Sequence, residues 1–427
     1  MTAPRRGVRR VLLDVSPLRL DRDFRWLWSG QVVNGIGNQI TRVALPYQVY
    51  VLTGSTLAIA ALTLFQLVPI LLFALGAGSL ADAVDRRKLL LATQIGLAAC
   101  SFALAVLTIA GPPPVWALFV VAFFAAGLSA VDQPTRSSAI PRLVPKERLA
   151  SAIALNQLNF QLASIVGPAV GGVIIAVVGI GAAYVVDLLS FTASFIALLT
   201  IRPLPPLGEV TRPGLDAVRE GLRFVRRRRA ILGSFVIDLN AMIFGMPMSL
   251  FPVLALDVFK TGALGFGLME AAPAVGAFVG ALFSGWVRHV HGVGRAVLAA
   301  VAAWGAAITA FGLVTVSFPI ALLCLAIAGA ADMFSAIFRS TIVQLDTPDN
   351  VRGRVMSIHI LVVTSGPRIG DIEAAVVAAL TTPQFAVVSG GVLCVLGVAA
   401  VARWFPELAS YVIGRPATTG VAPEAAG

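Results

Sequence analysis

Arg368, Asp371 and Glu373 interrupt a stretch otherwise built from Val, Ile, Ala and Gly. Arg and Asp three residues apart meet on one face of a helix. A carboxylate beside a cation that can be displaced is suited to taking up and releasing a proton. A second polar group lies near the start of the chain, where Asn34, Asn38 and Arg42 recur every four residues and form one helical stripe. If that run crosses a membrane, the arginine costs about 2.5–3.5 kcal/mol on insertion scales, so it needs a partner or a wet cavity. Asp238, Asp332, Asp187 and Glu270 are single carboxylates within other apolar runs. Ion pairing, proton exchange and recognition of a polar group are within reach of these residues. Bond making is not, because no nucleophile–base pair, metal-ligand spacing or Gly-rich phosphate loop accompanies them. Cys100, Cys324 and Cys394 each lie inside an apolar run, which argues against a disulfide framework and a cysteine zinc site. His289 and His291 flank a basic loop, and His359 stands alone. No enzyme activity, cofactor or metal is expected.

The elements that carry these residues must be membrane spans. The chain has 427 residues, 58% hydrophobic and 12% charged, with a mean hydropathy of +0.90. A soluble domain carries about 25% charged residues, and half that number cannot cover a water-facing surface. About 20 apolar residues cross the hydrocarbon core as a helix. Twelve such stretches are legible, at 26–52, 56–80, 89–110, 115–136, 150–178 and 182–201, then at 230–256, 265–287, 296–316, 318–342, 355–380 and 385–404. Gaps such as Thr53-Gly54-Ser55 and Gly111-Pro112-Pro113-Pro114 carry turn chemistry. The arginine-rich start shows no cleavage signal, so no removed leader is expected.

Charge placement orients the spans. With both termini cytoplasmic, all but three of the 32 Lys and Arg fall in the tails or the inner connections. The exceptions are Arg42 and Arg368, inside spans, and Lys260 in an outer loop. This is the positive-inside pattern, and it accounts for the net charge of +11 without nucleic acid as a partner. The expected divisions are a cytoplasmic N-tail at 1–25, a six-helix bundle at 26–201 and a cytoplasmic linker at 202–229. A second bundle at 230–405 and a C-tail at 406–427 follow. In the linker, Leu215, Val218, Leu222 and Val225 repeat at helical spacing among arginines. They predict an amphipathic helix lying on the cytoplasmic membrane face.

The bundles repeat. Arg136-Ser137-Ser138 precedes Pro145 and Arg148, and Arg339-Ser340-Thr341 precedes Pro348 and Arg352, each followed by a span holding a Gly-Pro pair, Gly167-Pro168 or Gly366-Pro367. Two parallel six-helix repeats mark the major facilitator architecture, an all-α membrane fold of twelve helices in two pseudo-symmetric halves. An alternating-access transporter follows from it.

Sequence motifs agree. The segment GSLADAVDRRK at 78–88 resembles the major facilitator loop signature, with Asp85 in place of its second glycine. Gly167, Pro168, Gly171 and Gly172 resemble the antiporter motif of exporting facilitators, where small residues let helix backbones approach. FRWLWSGQ, ALPYQVYVLTGS, VDQPTRS and LVPKERLASA are similar to the drug:proton antiporter-3 branch, which includes siderophore and macrolide exporters. The resemblance spans most of the chain. It implies a conformational gate of Asp82, Arg86, Asp132 and Arg136, with Gly78 as a packing residue in the same motif. Asp82 would meet the N-terminal dipole of a helix in the opposite half only while the cytoplasmic side is closed. It also implies export driven by protons. Many such exporters place a carboxylate in span one, where this chain has asparagines and an arginine, so the proton carrier is expected at Asp371 or Glu373.

The expected function is therefore proton-coupled efflux of an amphiphilic small molecule of the drug, macrolide or siderophore class across the cytoplasmic membrane. Substrate and coupling candidates are Asn34, Asn38, Arg42, Asp238, Asp332, Arg368, Asp371 and Glu373. Expected partners are that substrate, protons and membrane lipid, with a monomer as the working unit. Nutrient uptake and a transporter-shaped sensor are the rival readings.

Overall fold

The computed structural model describes residues 14–205 and 215–413; side chains at 74–83, 215–218, 220, 349–350 and 357 fall outside the description. Twelve long helices account for the expected spans. In the first half these are α1 (Arg22–Thr53), α2 (Thr56–Ala83), α3 (Arg86–Ile109), α4 (Val115–Leu143), α5 (Leu149–Val177) and α6 (Ile180–Thr200). The second half holds α7 (Arg229–Phe244, continued in short turns to Val258), α8 (Gly262–Leu282) and α9 (Val293–Leu313). It closes with α10 (Phe318–Asp346), α11 (Asp349–Leu380) and α12 (Pro383–Trp404). Bounds differ from the expected ones by a few residues, most at the arginine-rich ends, where α4 and α11 run a further turn or more. Among the described residues, ten helices are apolar and long enough to span a membrane. The two long helices outside that set are α1 and α11, which carry Asn34, Asn38 and Arg42 and Arg368, Asp371 and Glu373.

Local chemistry explains the ends and the breaks. Gly54 closes α1 in the left-handed region, φ 60°, and its N–H reaches the Tyr50 carbonyl, a conformation a side chain would oppose. Asp85 caps α3, accepting from the backbone N–H groups of Arg87 at 2.8 Å and Lys88 at 3.2 Å. The aspartate that departs from the loop signature therefore serves as a helix N-cap. The seventh span is not one helix. It breaks at Gly245-Met246-Pro247, and the indole N–H of Trp304 on α9 donates to the freed Gly245 carbonyl at 2.8 Å, which makes an irregular backbone tolerable at membrane depth.

Apolar packing divides the molecule by depth. One large core joins the halves at the end opposite the arginine-rich loops, combining Ile40, Leu45 and Tyr184 with Phe251, Leu254 and Phe266, and in the second half it runs on to the basic end through Phe338, Ile342 and Leu408. At the basic end each half has its own core: Phe24, Leu27, Leu90, Ile140 and Leu198 in the first, Val225, Ile231, Phe235, Val343 and Val355 in the second. The halves are closed together at the far end, and their cores part at the basic end. The linker helix (Leu215–Arg227) lays Val225 into the core of the second half, and Gly221 lies against Ile358 and Arg354 of α11. Of the apolar face expected to meet the membrane, Val225 is buried on protein and Leu222 is exposed, while Leu215 and Val218 lie outside the described side chains.

Candidate functional site

Three charge clusters organise the interior. In the first half, Asp132 on α4 pairs with Arg136 one turn on, with Nη2–Oδ2 at 3.0 Å and both side chains largely buried. Thr93 Oγ1 and Gln94 Nε2 of α3 donate to the same carboxylate at 2.7 and 3.1 Å. Arg86 Nε donates to Ser138 of α4 at 3.0 Å. Asp132 is therefore more than a private partner of Arg136, since it ties α3 to α4. Arg87 caps the end of α6, donating to the carbonyls of Leu198 at 2.7 Å and Leu199 at 2.6 Å. Asp82 and Gly78 lie outside the described side chains; of the expected gate, Arg86, Asp132 and Arg136 are described.

The repeat-related residue of the second half, Arg339 on α10, is solved differently. It closes on Asp238 of α7, in a pair with 3% and 1% of the side-chain surface exposed, and its Nη2 stands 3.7 Å from Asp332. Burying an arginine this deeply requires a counter-ion, and α7 supplies it. Where Arg136 finds its carboxylate on its own helix, Arg339 takes one from a neighbour.

The third cluster lies between the halves. Arg368 on α11 donates to Gln66 on α2 at 3.1 Å. Asp371 accepts from the backbone N–H of Ser249 at 2.8 Å, just beyond the α7 break, while Ser249 Oγ donates to the Asp371 carbonyl at 2.8 Å. Arg42 on α1 is exposed and within electrostatic range of Glu270 on α8, Asp371 and Arg368. Two arginines and two carboxylates from both halves thus share one region. Arg368 and Asp371, one turn apart, form no direct ion pair among the described contacts; each is held by a group from another helix. Glu373 is half-buried and makes no hydrogen bond among the described residues. The α1 stripe divides: Asn34 is buried against Ser190 of α6 at 3.5 Å, Asn38 donates to Asn34 at 3.2 Å, and only Arg42 reaches the cluster. Asp187 is buried on α6 and accepts from Thr41 on α1 and Ser101 on α3, both at 2.7 Å, an inter-helix fastening within the first half. Among the described residues, no three His, Cys, Asp or Glu side chains are grouped to hold a metal ion.

The far-end closure is made by small residues and one polar latch. A Cβ on Gly172 of α5 would stand 2.7 Å from the Ala263 carbonyl oxygen and 3.1 Å from Gly267 Cα on α8, and one on Gly267 would meet the Pro168 carbonyl oxygen at 2.4 Å. The other two glycines face α1: a Cβ on Gly167 would be 2.4 Å from Gln39 Cβ, and one on Gly171 would be 3.3 Å from Ile40 Cα. Beside this seam, the Tyr50 hydroxyl on α1 donates to Asp257 of the second half, and Tyr47 stacks on Phe266 with ring centroids 6.0 Å apart.

Residues 14–410 match the family described as transmembrane secretion effector. The chain belongs to that family. It is 26% identical to macrolide efflux protein A of Streptococcus pyogenes over 362 residues, covering 83% of this chain and 89% of that one. It is 26% identical to the enterobactin exporter EntS of Citrobacter koseri over 387 residues, covering 90% and 92%. Among solved structures, a bacterial homologue of the iron transporter ferroportin in an inward-facing state superposes with a TM-score of 0.69 at 17% identity, over 92% of this chain and 99% of that one. The nucleoside transporter NupG gives 0.69 at 13% identity over 90% and 100%. The fold is that of a twelve-helix major facilitator, and the protein is a multi-pass membrane transporter of the small-molecule efflux class, not an enzyme.

For a secretion effector of this kind, sequence reasoning missed three things. Gln66 and Ser249, which hold Arg368 and Asp371, are ordinary polar residues with no spacing signal. The pairing of Arg339 with Asp238 joins residues about a hundred positions apart. Tyr50–Asp257 joins the halves, and only the fold brings its ends together.

Proposed function

We propose that the protein is a proton-coupled antiporter of the cytoplasmic membrane, a monomer with both termini in the cytoplasm, exporting amphiphilic small molecules of the drug, macrolide or siderophore class. The observation that carries this reading is the four-charge cluster of Arg42, Glu270, Arg368 and Asp371, drawn from both halves at their interface. A transporter that rocks its halves must change the surroundings of charges held between them, and a ligand acts on the cycle only by preferring one arrangement. Asp371 is placed for this: Ser249 holds its carboxylate within the second half, while Arg368, one turn away, is held by Gln66 of the first half, a contact that changes when the halves move. Arrival of substrate at Arg368 or Arg42 would remove part of that support and let Asp371 accept a proton.

Asp82, Arg86, Asp132 and Arg136 form the opposing gate in this reading. The Tyr50–Asp257 latch and the Gly172–Gly267 seam hold the outer side shut while the cytoplasmic side is open. The Asp82 carboxylate would close the cytoplasmic side once the latch releases. The bundles at 26–201 and 230–405 are the moving bodies, and the 202–229 linker travels with the second. The relatives' substrates, macrolides and enterobactin, support export over nutrient uptake.

The experiment is transport by inverted membrane vesicles under an imposed proton gradient, acid inside, against right-side-out vesicles. Accumulation of a macrolide or a catecholate siderophore in the inverted vesicles, abolished by a protonophore, is the expected result. Accumulation in right-side-out vesicles with an outward-acid gradient would identify uptake instead.

A further inference from the structure

The linker helix (Leu215–Arg227) has two faces of different character. At about 100° per residue, Gly221 and Val225 fall on one side, and both are seated on the second half. A Cβ on Gly221 would stand 3.0 Å from Ile358 and 3.2 Å from Arg354 of α11, and Val225 is buried. Arg219, Leu222, Arg223, Arg226 and Arg227 fall on the other side, all of them exposed, around a hollow of about 450 Å³. That volume is within the range of ligand sites. Asp216 and Glu220 stand earlier in the helix, so its excess positive charge gathers in the last two turns. Arg223, Arg226 and Arg227 have no carboxylate partner among the described residues, whereas Arg229, just beyond the helix, pairs with Glu407. Depth decides what this charge meets. α11 has 32 residues, about 48 Å of helix, against a hydrocarbon core of about 30 Å. About six residues at each of its ends therefore stand at the level of the lipid headgroups. The linker helix lies beside Arg354, the sixth residue of α11.

We propose that this arginine face binds the headgroup of an anionic phospholipid, with the phosphodiester held by Arg223, Arg226 and Arg227 and the start of an acyl chain lying on Leu222. A guanidinium fork matches phosphate oxygens in pairs, and a basic segment at headgroup level attracts anionic lipid. An exposed leucine among arginines suits a ligand charged at one end and apolar at the other; a free phosphate would leave it unused. The site belongs to the second half alone. It depends neither on which solute is moved nor on the direction of movement, so it goes beyond the transport reading.

The test is native mass spectrometry of the full-length protein, titrated in detergent with phosphatidylglycerol and, for comparison, zwitterionic phosphatidylcholine. Wild type should retain phosphatidylglycerol in preference. The triple change Arg223→Gln, Arg226→Gln and Arg227→Gln should weaken that binding about tenfold or more and leave phosphatidylcholine unaffected. Leu222→Gln alters no charge and should weaken phosphatidylglycerol as well; it keeps the test decisive if the triple variant is not recovered. As a control, Arg19→Gln, Arg25→Gln and Arg288→Gln together remove three exposed arginines that do not line the hollow, and they should change little. Wild-type protein that holds both lipids equally overturns the proposal, as does phosphatidylglycerol binding unchanged in the triple variant or in Leu222→Gln. An equal loss in the control variant means diffuse attraction to a basic surface and overturns the site. Displacement of phosphatidylglycerol by soluble glycerol phosphate at similar concentration assigns the face to a free phosphate and overturns the lipid.

Discussion

At the scale of single residues, the charges divide by the burial of their partners. Asp238 and Arg339 are enclosed, so removing one leaves the other stranded in apolar surroundings, a loss of about 3–5 kcal/mol for a buried pair. Asp238→Asn should therefore lower the melting temperature and the yield of protein from membranes, as followed by fluorescence-detected size exclusion on heating. The double change Asp238→Leu with Arg339→Met should recover most of that loss, because it removes both charges together. A double variant as unstable as the single one would mean that the pair does more than neutralise itself. Asp132→Asn differs, since Thr93, Gln94 and Arg136 all converge on its carboxylate. It should loosen α3 from α4 as well as weaken the proposed gate, reducing transport and stability together.

At the scale of elements, the governing features are backbones that approach closely. Gly172 stands where a Cβ would press on the α8 backbone, and backbone cannot move aside as a side-chain tip can. Gly172→Leu should wedge α5 from α8, disfavour closure of the outer side and bias the protein to its outward-open form. The readout is labelling of an outer-cavity cysteine such as Tyr47→Cys, expected to quicken in the Gly172→Leu background; unchanged labelling would mean that the seam does not report closure. How much of this level was legible in the sequence depends on periodicity and local chemistry. The twelve spans, the small-residue motif on α5 and the glycine turn after Thr53 were readable because each is a local matter of composition. The α7 break was not, because Gly245-Met246-Pro247 breaks a helix only where Trp304, some sixty residues on, can satisfy the freed carbonyl. The burial of Val225 was not legible for a related reason, because its partners Val343 and Val355 lie more than a hundred positions away.

For the whole molecule, the two halves share a core at one end and part at the other. Candidate residues of the cross-half cluster were legible as charges out of place in apolar runs. Their partners were not, because Gln66 lies about three hundred positions from Arg368 and a hundred and twenty separate Ser249 from Asp371. Parting the halves at the end away from the basic loops, the outer side in the proposed orientation, must break the Tyr50–Asp257 hydrogen bond, worth about 1.5–3 kcal/mol when one partner is charged. Tyr50→Phe should therefore raise the outward-open population about tenfold or more, as seen by distance measurements between spin labels on the outer ends of the halves. Orientation is testable separately. Lys260→Cys should react with an impermeant thiol reagent in intact cells and Arg223→Cys should not, and the reverse pattern would invert the topology.

The most direct test of proton-coupled export is made on Asp371→Asn, purified alongside wild type and reconstituted in proteoliposomes. Substrate counterflow, which needs only alternating access, is measured beside accumulation driven by a proton gradient. Asp371→Asn should retain counterflow but lose gradient-driven accumulation, whereas Glu373→Gln, with no hydrogen bond to lose among the described residues, should be affected less. Full gradient-driven accumulation by stably inserted Asp371→Asn protein would rule out Asp371 as the proton carrier.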